Sequence, residues 1–377
     1  MKVLELFGGI GACTEALKKL NIDYEIVDYV EIDKYAVKSY NAINGTNFEP
    51  QDIRNWNKNI DVDLIMHGSP CQDFSISGKQ AGGDEGSGTR SSLMYETLRI
   101  VNNLKPKYVI WENVKNLLSK KHKHNFESYL YKMRMMGYWN YYKVLNAKDF
   151  GIPQNRERVF VISVRNDVNS YGYHVFNFQF PQFQELKIKL KDLLDDQVDE
   201  KYYLSDKMIE YISYNEKKKF KNNDSRINLD ISRPITCSTY KMHRAGADNY
   251  LCNELPENYD LSILIKNNTK KGFLVAKDGD GIDISQPNSK TRRWRVQKQI
   301  SQTIDTNGGN KNAVFINLRI RKLTPKECWK LMGFSDEAFD KASKVNSNTQ
   351  LYKQAGNSIV VNILVEILKN LIKMEGK

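Results

Sequence analysis

The sequence predicts an α/β protein: a parallel, doubly wound sheet interrupted by a smaller, β-containing inserted domain. Three observations predict it. Over residues 1–165 short apolar runs alternate with helical patterns, the alternation that lays strands side by side with helices on both faces. Residues 183–317 change texture, being rich in Lys, Asn and Asp with short aromatic or β-branched runs between turn signals. After Arg319 the α/β texture returns and ends on a strongly apolar helix, Ile359–Met374, which must pack on something large. The expected division is a discontinuous domain, 1–182 plus 318–377, around an insert of 183–317.

Val3–Phe7 is a buried-strand candidate that runs into a glycine-rich turn, and Thr14–Leu20 follows as a helix. Glu25–Val30 is the second strand and Tyr35–Asn41 a helical stretch. Asp63–Met66 and Tyr108–Trp111 are further short strands, separated by the helical pattern Leu93–Leu104, and Val159–Val164 closes the series. Beyond the insert, Thr324–Met332 carries a helix start in Thr-Pro-x-Glu. Pro325 suits the first turn and Glu327 can close a capping box on Thr324.

Composition bounds the function. With 377 residues, 40% hydrophobic and 11% aromatic, the chain can bury a full core and is no disordered segment. A formal charge of +12 favours a polyanionic partner, because Lys and Arg release counterions from phosphates. No stretch approaches the ~20 apolar residues of a membrane span, and the N-terminus has no long apolar core of a secretory signal. The five cysteines, Cys13, Cys71, Cys237, Cys252 and Cys328, are scattered without a C-x-x-C pair. Neither a metal site nor a disulfide framework is expected, and a reducing cytoplasm fits.

Phe7-Gly8-Gly9-Ile10-Gly11 stands between a strand and a helix, where glycines let the backbone turn tightly or approach a ligand. Glu31 lies 20 residues after Gly11, at a spacing that suits acceptance of ribose hydroxyls. The third glycine of a dinucleotide cradle is missing, since position 14 is Thr. That counts against a pyrophosphate and leaves a nucleoside without phosphates, of which S-adenosylmethionine is one. A merely tight turn is the competing reading. Asp52-Ile53 follows, where a carboxylate could accept the adenine amino group and an Ile could cover the ring.

Gly68-Ser69-Pro70-Cys71-Gln72 comes straight after a strand, at the sheet end where active sites sit. Lowering the pKa of the Cys71 thiol requires nearby positive charge, for which Arg156 and Arg158 are the candidates. They alternate on a strand in Gln154-Asn155-Arg156-Glu157-Arg158 and are expected on one face. Glu112, after the run Tyr108–Trp111, is read either as an acid with a raised pKa or as a structural, salt-bridged or capping Glu. His67 is read as a structural strand-end residue, and His122 and His124 as exposed.

Taken in order, these segments resemble the DNA (cytosine-5)-methyltransferase family. The blocks are Phe7-Gly8-Gly9-Ile10-Gly11, Glu31-Ile32-Asp33, Asp52-Ile53, Ser69-Pro70-Cys71-Gln72, Glu112-Asn113-Val114, Gln154-x-Arg156-x-Arg158, Arg321–Glu327 and Gln354-Ala355-Gly356-Asn357-Ser358. They span almost the whole chain. The resemblance implies a Rossmann-like S-adenosylmethionine-dependent methyltransferase domain with an inserted target-recognition domain. It implies that the Cys71 thiolate attacks C6 of a flipped cytosine and that Glu112 contacts N3 and the exocyclic amine. Arg158, with Arg156 beside it, would hold the cytosine and the nucleophile. Phe7, Gly9, Ile10, Gly11, Glu31, Ile32, Asp52, Ile53, Pro70, Leu93, Asn357 and Ser358 would line the cofactor pocket, with S-adenosylhomocysteine as product. The base for the C5 proton is expected to be a water.

Ser75–Arg90 resembles the family's mobile active-site loop, with Ser75, Ser77, Lys79 and Arg90 as DNA contacts. In the insert, Lys241, Arg244, Arg292 and Arg293 are further DNA contacts, beside the alternative of an ordinary solvated surface. The implied partner is double-stranded DNA, acted on by a monomer in the bacterial cytoplasm, with a cognate restriction endonuclease as a separate protein. An RNA cytosine methyltransferase is disfavoured by the large insert, and a silent DNA-binding protein by the joint presence of Cys71, Glu112 and Arg158. Three departures stand out. Gly8 replaces the commoner Ala, Ala12 a usual Gly, and His67-Gly68-Ser69 the more frequent Gly-Gly-Pro.

Overall fold

The structure, a computed structural model, describes residues 1–71, 73–74, 81–168, 178–202, 262–277, 279–284, 294–301, 312–316 and 319–375. The chain divides into two compact units: Met1–Ile152 with Arg156–Leu186 and Met332–Lys377, and Pro153–Asn155 with Lys187–Leu331.

The first unit is a six-stranded sheet. Its strands are β1 (Lys2–Leu6), β2 (Glu25–Val30), β3 (Leu64–His67), β4 (Tyr108–Val114), β5 (Tyr138–Asn146) and β6 (Glu157–Arg165), in the order β2-β1-β3-β4-β6-β5. Strands β1 to β4 are parallel, as their crossover helices require. The expectation of a wholly parallel sheet is corrected at one edge: β6 runs antiparallel to β4, and β5 antiparallel to β6. Strand β5 had no sequence signal. It is an edge strand mixing Tyr, Asn and Lys with an irregular burial pattern, so no apolar run marks it.

Helices α1 (Ala12–Leu20), α2 (Lys34–Asn44), α3 (Met94–Leu104) and α4 (Lys123–Met135) belong to this unit. So do α6 (Asp336–Ser343), α7 (Asn348–Asn357) and α8 (Val361–Glu375), named here after the short α5 of the second unit. Leu4, Leu6, Ile65, Val109 and Trp111 pack with Leu98, Val101, Phe126 and Tyr129 in one core cluster. Helix α8 packs on α1 and buries Ile363, Leu364, Ile367, Leu368 and Leu371. The run Asn348–Lys373 is long and apolar enough to cross a membrane by length and composition, and 56% of its most apolar window is buried inside the protein. Within this unit Asn362 Nδ2 donates to the carbonyl of Phe150 at 3.1 Å and Lys19 to that of Gly333 at 2.6 Å.

In the second unit β9 (Gly281–Asp283), β10 (Val296–Gln297), β11 (Asn312–Ile316) and β12 (Arg319–Lys322) form an antiparallel sheet ordered β10-β9-β11-β12. Strands β7 (Ser262–Lys266) and β8 (Phe273–Lys277) make a hairpin. Helix α5 (Pro325–Lys330) starts as its sequence predicts, with Pro325 in the first turn and a Thr324–Glu327 capping box.

Other boundaries moved by a few residues. Strand β1 stops at Leu6 because Phe7 takes a left-handed backbone (φ 52°), and α1 starts at Ala12 directly after Gly11 (φ 83°). Strand β4 runs on to Val114, so Glu112 lies inside the strand and not beyond it. His122 is buried, contrary to the exposed position expected. It caps α4 with its ring turned inward, edge-on to Phe74 at 5.4 Å, while Lys121, Lys123 and His124 stay exposed.

Candidate active site

The carboxyl ends of β1, β2, β3 and β4 carry the chemistry-bearing residues. From β1 the chain enters Phe7-Gly8-Gly9, where the strained φ of Phe7 breaks the strand and turns the backbone back. Gly8 has no room for a side chain: a Cβ there would stand 2.6 Å from the ring of Tyr29. Tyr29 is fixed in turn, stacked on Tyr40 at 3.9 Å and donating from its hydroxyl to the carbonyl of Gly9 at 2.5 Å. This packing accounts for glycine at position 8, where the resemblance leads one to expect alanine. Ala12 needs no left-handed backbone, since it is already helical.

Glu31, at the end of β2, accepts from Gly9 N at 3.1 Å and from Asp33 N at 2.8 Å, one bond to each carboxylate oxygen. Burial pushes its pKa up, and the backbone N–H groups of Asp33, Gly9 and Ile32 pull it back. A cleft is lined by Glu5, Leu6, Phe7, Gly8, Gly9, Ala12, Cys13, Met66, Gly68, Asn357, Ser358 and Ile359. Of the residues expected at the cofactor, Phe7, Gly9, Asn357 and Ser358 line this cleft, and Glu31 reaches it through Gly9. Ile32 stands 65% exposed, a large apolar side chain open to an occupant. Ile10 and Ile53 are buried, Pro70 and Leu93 are half-buried, and Asp52 is held by Arg54 at 2.5 Å. Glu5, Leu6, Ala12, Cys13, Met66 and Ile359 were not expected at the cleft, and Gly68 was read only as part of the Cys71 turn.

Beneath the glycine turn Glu5 is buried and accepts from Thr14 N at 3.1 Å and from the Thr14 hydroxyl. Thr14 Oγ1 also lies 3.0 Å from the Tyr40 hydroxyl. Burial pushes the Glu5 carboxyl up to about 7. Thr14, where a dinucleotide cradle would need glycine, thus ties α1 to β1.

Cys71 is half-buried on the turn after β3. The turn is fixed from β4: Trp111 Nε1 donates to Ser69 Oγ at 2.9 Å, and Asn113 Nδ2 to Ser69 O at 3.2 Å. His67 is buried and stacked on Trp111, with Nε2 3.0 Å from the Tyr129 hydroxyl. Burial drives its pKa down to about 3, so it is a neutral structural ring. Neither contact of Ser69 carried a sequence signal, because the partners lie 42 and 44 residues away.

Arg158 Nε meets Glu112 Oε1 at 3.0 Å, with both side chains largely buried. Burial raises the Glu112 pKa, against the pull of Arg158 and then Arg156. Burial likewise pushes the Cys71 thiol up; Arg158 lowers it, Glu112 raises it and Arg156 lowers it. The positive charge expected beside Cys71 is present, but it offsets burial only in part. Arg156 precedes β6 and is buried, its Nη2 donating to the carbonyls of Gly356 at 3.0 Å and Ser358 at 2.8 Å. It thus reaches the cleft wall at Ser358, while Arg158 reaches the Glu112 carboxylate.

Of the expected DNA contacts, Arg90 is exposed in the turn Arg90–Leu93 that leads into α3. Ser75, Ser77, Lys79, Lys241, Arg244, Arg292 and Arg293 lie outside the described residues. Residues flanking the Ser75–Arg90 segment are anchored: Asn116 Nδ2 donates to Phe74 O at 2.6 Å, and Ser91 N to Asp73 Oδ2 at 3.2 Å. Among the described residues no group of His, Cys, Asp and Glu could hold a metal ion.

Comparison with known proteins gives the same assignment. The family model for C-5 cytosine-specific DNA methylase matches residues 1–373. The chain is 34% identical to the type II methyltransferase M2.ScrFI of Lactococcus lactis subsp. cremoris, over 100% of both chains. It is 33% identical to the type II methyltransferase M.HhaI of Haemophilus parahaemolyticus, over 98% of this chain and 94% of that one. To the orphan methyltransferase M.SPRI of Bacillus phage SPR it is 30% identical, over 99% and 97%. Among solved structures, the Entamoeba histolytica methyltransferase EhMeth superposes with TM-score 0.57 at 17% identity, covering 99% of this chain and 98% of that one. With the family model matching residues 1–373 and a relative 34% identical over the whole of both chains, the chain belongs to the C-5 cytosine-specific DNA methylase family.

Proposed function

We propose that this DNA cytosine-5 methyltransferase works with Cys71 as nucleophile, Glu112 as the group that holds the cytosine ring, and Arg158 as the residue that orders both. The observation that carries the assignment is the Arg158–Glu112 pair at 3.0 Å, whose charges both act on the Cys71 thiol. A target cytosine must leave the base stack before C6 is within reach of the sulfur. The Cys71 thiolate then forms the S–C6 bond as the C5–C6 π bond breaks, and the electron pair moves towards C5 and N3. The raised pKa of Glu112 suits a carboxyl that shares its proton with N3, which lowers the cost of the charge arriving there. When bound, S-adenosylmethionine would supply the methyl group that C5 takes, with S-adenosylhomocysteine as its product. Loss of the C5 proton to water restores the C5–C6 double bond, the thiolate leaves C6, and the Glu112 proton returns.

The cleft residues fit that cofactor. Gly9 has open space where a Cβ would lie, so a ligand can approach its backbone. The Glu31 carboxylate is held by backbone donors, Gly9 on one oxygen and Asp33 on the other, and can still accept from a ribose hydroxyl. The missing third glycine disfavours a pyrophosphate. Phe7, Ile10, Gly11, Ile32, Asp52, Ile53, Pro70, Leu93, Asn357 and Ser358 complete the proposed surroundings. Asp52 can take the adenine amino group only by sharing or releasing Arg54. We assign target recognition to the unit Lys187–Leu331, and duplex DNA as substrate, acted on by a monomer in the cytoplasm. Relatives named both type II and orphan methyltransferases leave the biological setting, with or without an endonuclease, as a separate question.

Bisulfite sequencing of unmethylated DNA after incubation with the protein and S-adenosylmethionine tests this. Protected cytosines in one short context, absent with Cys71→Ser, are expected. Protection that persists in the variant would remove Cys71 from its role, and protection nowhere would overturn the DNA reading.

A further inference from the structure

The segment Gly356-Asn357-Ser358, whose last two residues line the cleft, is held from two directions. On one side Arg156 Nη2 donates to the carbonyls of Gly356 at 3.0 Å and Ser358 at 2.8 Å. On the other, Gln354 is buried against α2. Its Nε2 donates to Tyr35 O at 2.9 Å, while its Oε1 accepts from Ser39 Oγ at 2.9 Å. Asn346 Nδ2 donates to the same two oxygens, each at 2.9 Å, and Lys353 Nζ meets Asp33 Oδ2 at 2.6 Å.

These partners are placed to matter. Asp33 caps α2 and gives its backbone N–H to Glu31, whose other oxygen holds Gly9. The contacts therefore run unbroken from the glycine turn through Glu31, Asp33 and Tyr35 to Gln354. From there Ser358 N bonds to Gln354 O at 3.0 Å, so a shift at position 354 is carried to the wall. The Gln354 amide donates with one atom and accepts with the other, which fixes its orientation. A leucine can do neither.

We propose that Gln354 is a positioning residue for the cofactor: its amide sets the register between the Glu31 side and the Asn357–Ser358 side of the cleft, and so governs cofactor affinity without touching the cofactor. The inference rests on the cofactor reading of the cleft given above.

Calorimetric titration of the full chain with S-adenosylhomocysteine, without DNA, tests it directly, alongside KM for S-adenosylmethionine and kcat. Gln354→Leu is expected to weaken S-adenosylhomocysteine about tenfold, the effect of roughly one buried hydrogen bond and its unpaired partner. KM should rise in step while kcat at saturating cofactor stays within about twofold. Should that variant fail to fold, Ser39→Ala removes the donor to Gln354 and one acceptor of Asn346 at little volume cost, and should weaken binding about threefold on the same reasoning. Undiminished affinity in the folded variants overturns the proposal, as does a fall in kcat at unchanged affinity. A parent chain that binds no S-adenosylhomocysteine overturns the cofactor reading and this inference with it, an outcome distinct from a parent that binds and variants that bind as well.

Discussion

Burial pushes the Cys71 thiol up, and of the three charges beside it Arg158 pulls it down first, Glu112 pushes up and Arg156 pulls down. Only the thiolate attacks carbon, and a thiol whose pKa is raised by burial stays mostly protonated near neutral pH. The alkylation rate of Cys71 by iodoacetamide should therefore keep rising through the alkaline range. Arg158→Ala should move that rise to higher pH and slow alkylation at pH 8 about tenfold, if the shift is about one pKa unit. The rate is read from mass spectra of quenched samples, with Cys71→Ser as blank; a plateau below pH 7 would contradict the balance described. Cys71, Glu112 and Arg158 were legible in the sequence because each sits in a contiguous motif at a sheet end. The Ser69–Trp111 hydrogen bond and the carbonyl contacts of Arg156 were not, because they depend on chain pairings 42 and about 200 residues apart. His122 was misjudged because its lysine neighbours suggested solvent, whereas the cap of α4 turns that one ring inward.

At the level of elements, the turn after β1 shows how a local departure is absorbed. Position 8 has no space for a methyl group because the Tyr29 ring fills it, and Tyr29 cannot yield without leaving Tyr40 and the Gly9 carbonyl. Gly8→Ala, which restores the commoner residue of the family, should therefore destabilise this chain by about 1–3 kcal/mol, the usual cost of overpacking. Urea unfolding with fluorescence detection reads it; a loss below about 0.5 kcal/mol, the ordinary surface range, would show that Tyr29 moves aside. Strands β1 to β4 were legible because buried parallel strands are short apolar runs, and α8 because its apolar stripe is continuous. Strand β5 was not, since an edge strand gains its order from pairing with β6 and not from its own pattern. The antiparallel turn of β6 was equally hidden, because an apolar run gives no direction.

For the whole molecule, the two classes of ligand should answer differently to salt. The chain carries 57 basic and 45 acidic residues, a surplus of +12. Such a surplus serves phosphates. Each phosphate neutralised by Lys or Arg releases counterions, so a protein making about 6–10 such contacts loses roughly 10³–10⁵ in affinity between 50 and 200 mM salt. S-adenosylhomocysteine carries no phosphate, and its affinity should change by no more than about twofold over the same range, since fixed contacts inside a cleft are screened far less than surface charges. Fluorescence anisotropy of a labelled unmethylated duplex gives the first curve and calorimetry the second. A steep DNA curve beside a flat cofactor curve is the expected result. Equal and shallow slopes would mean that the basic surplus lies away from the DNA, and that recognition rests on uncharged contacts made by the inserted unit.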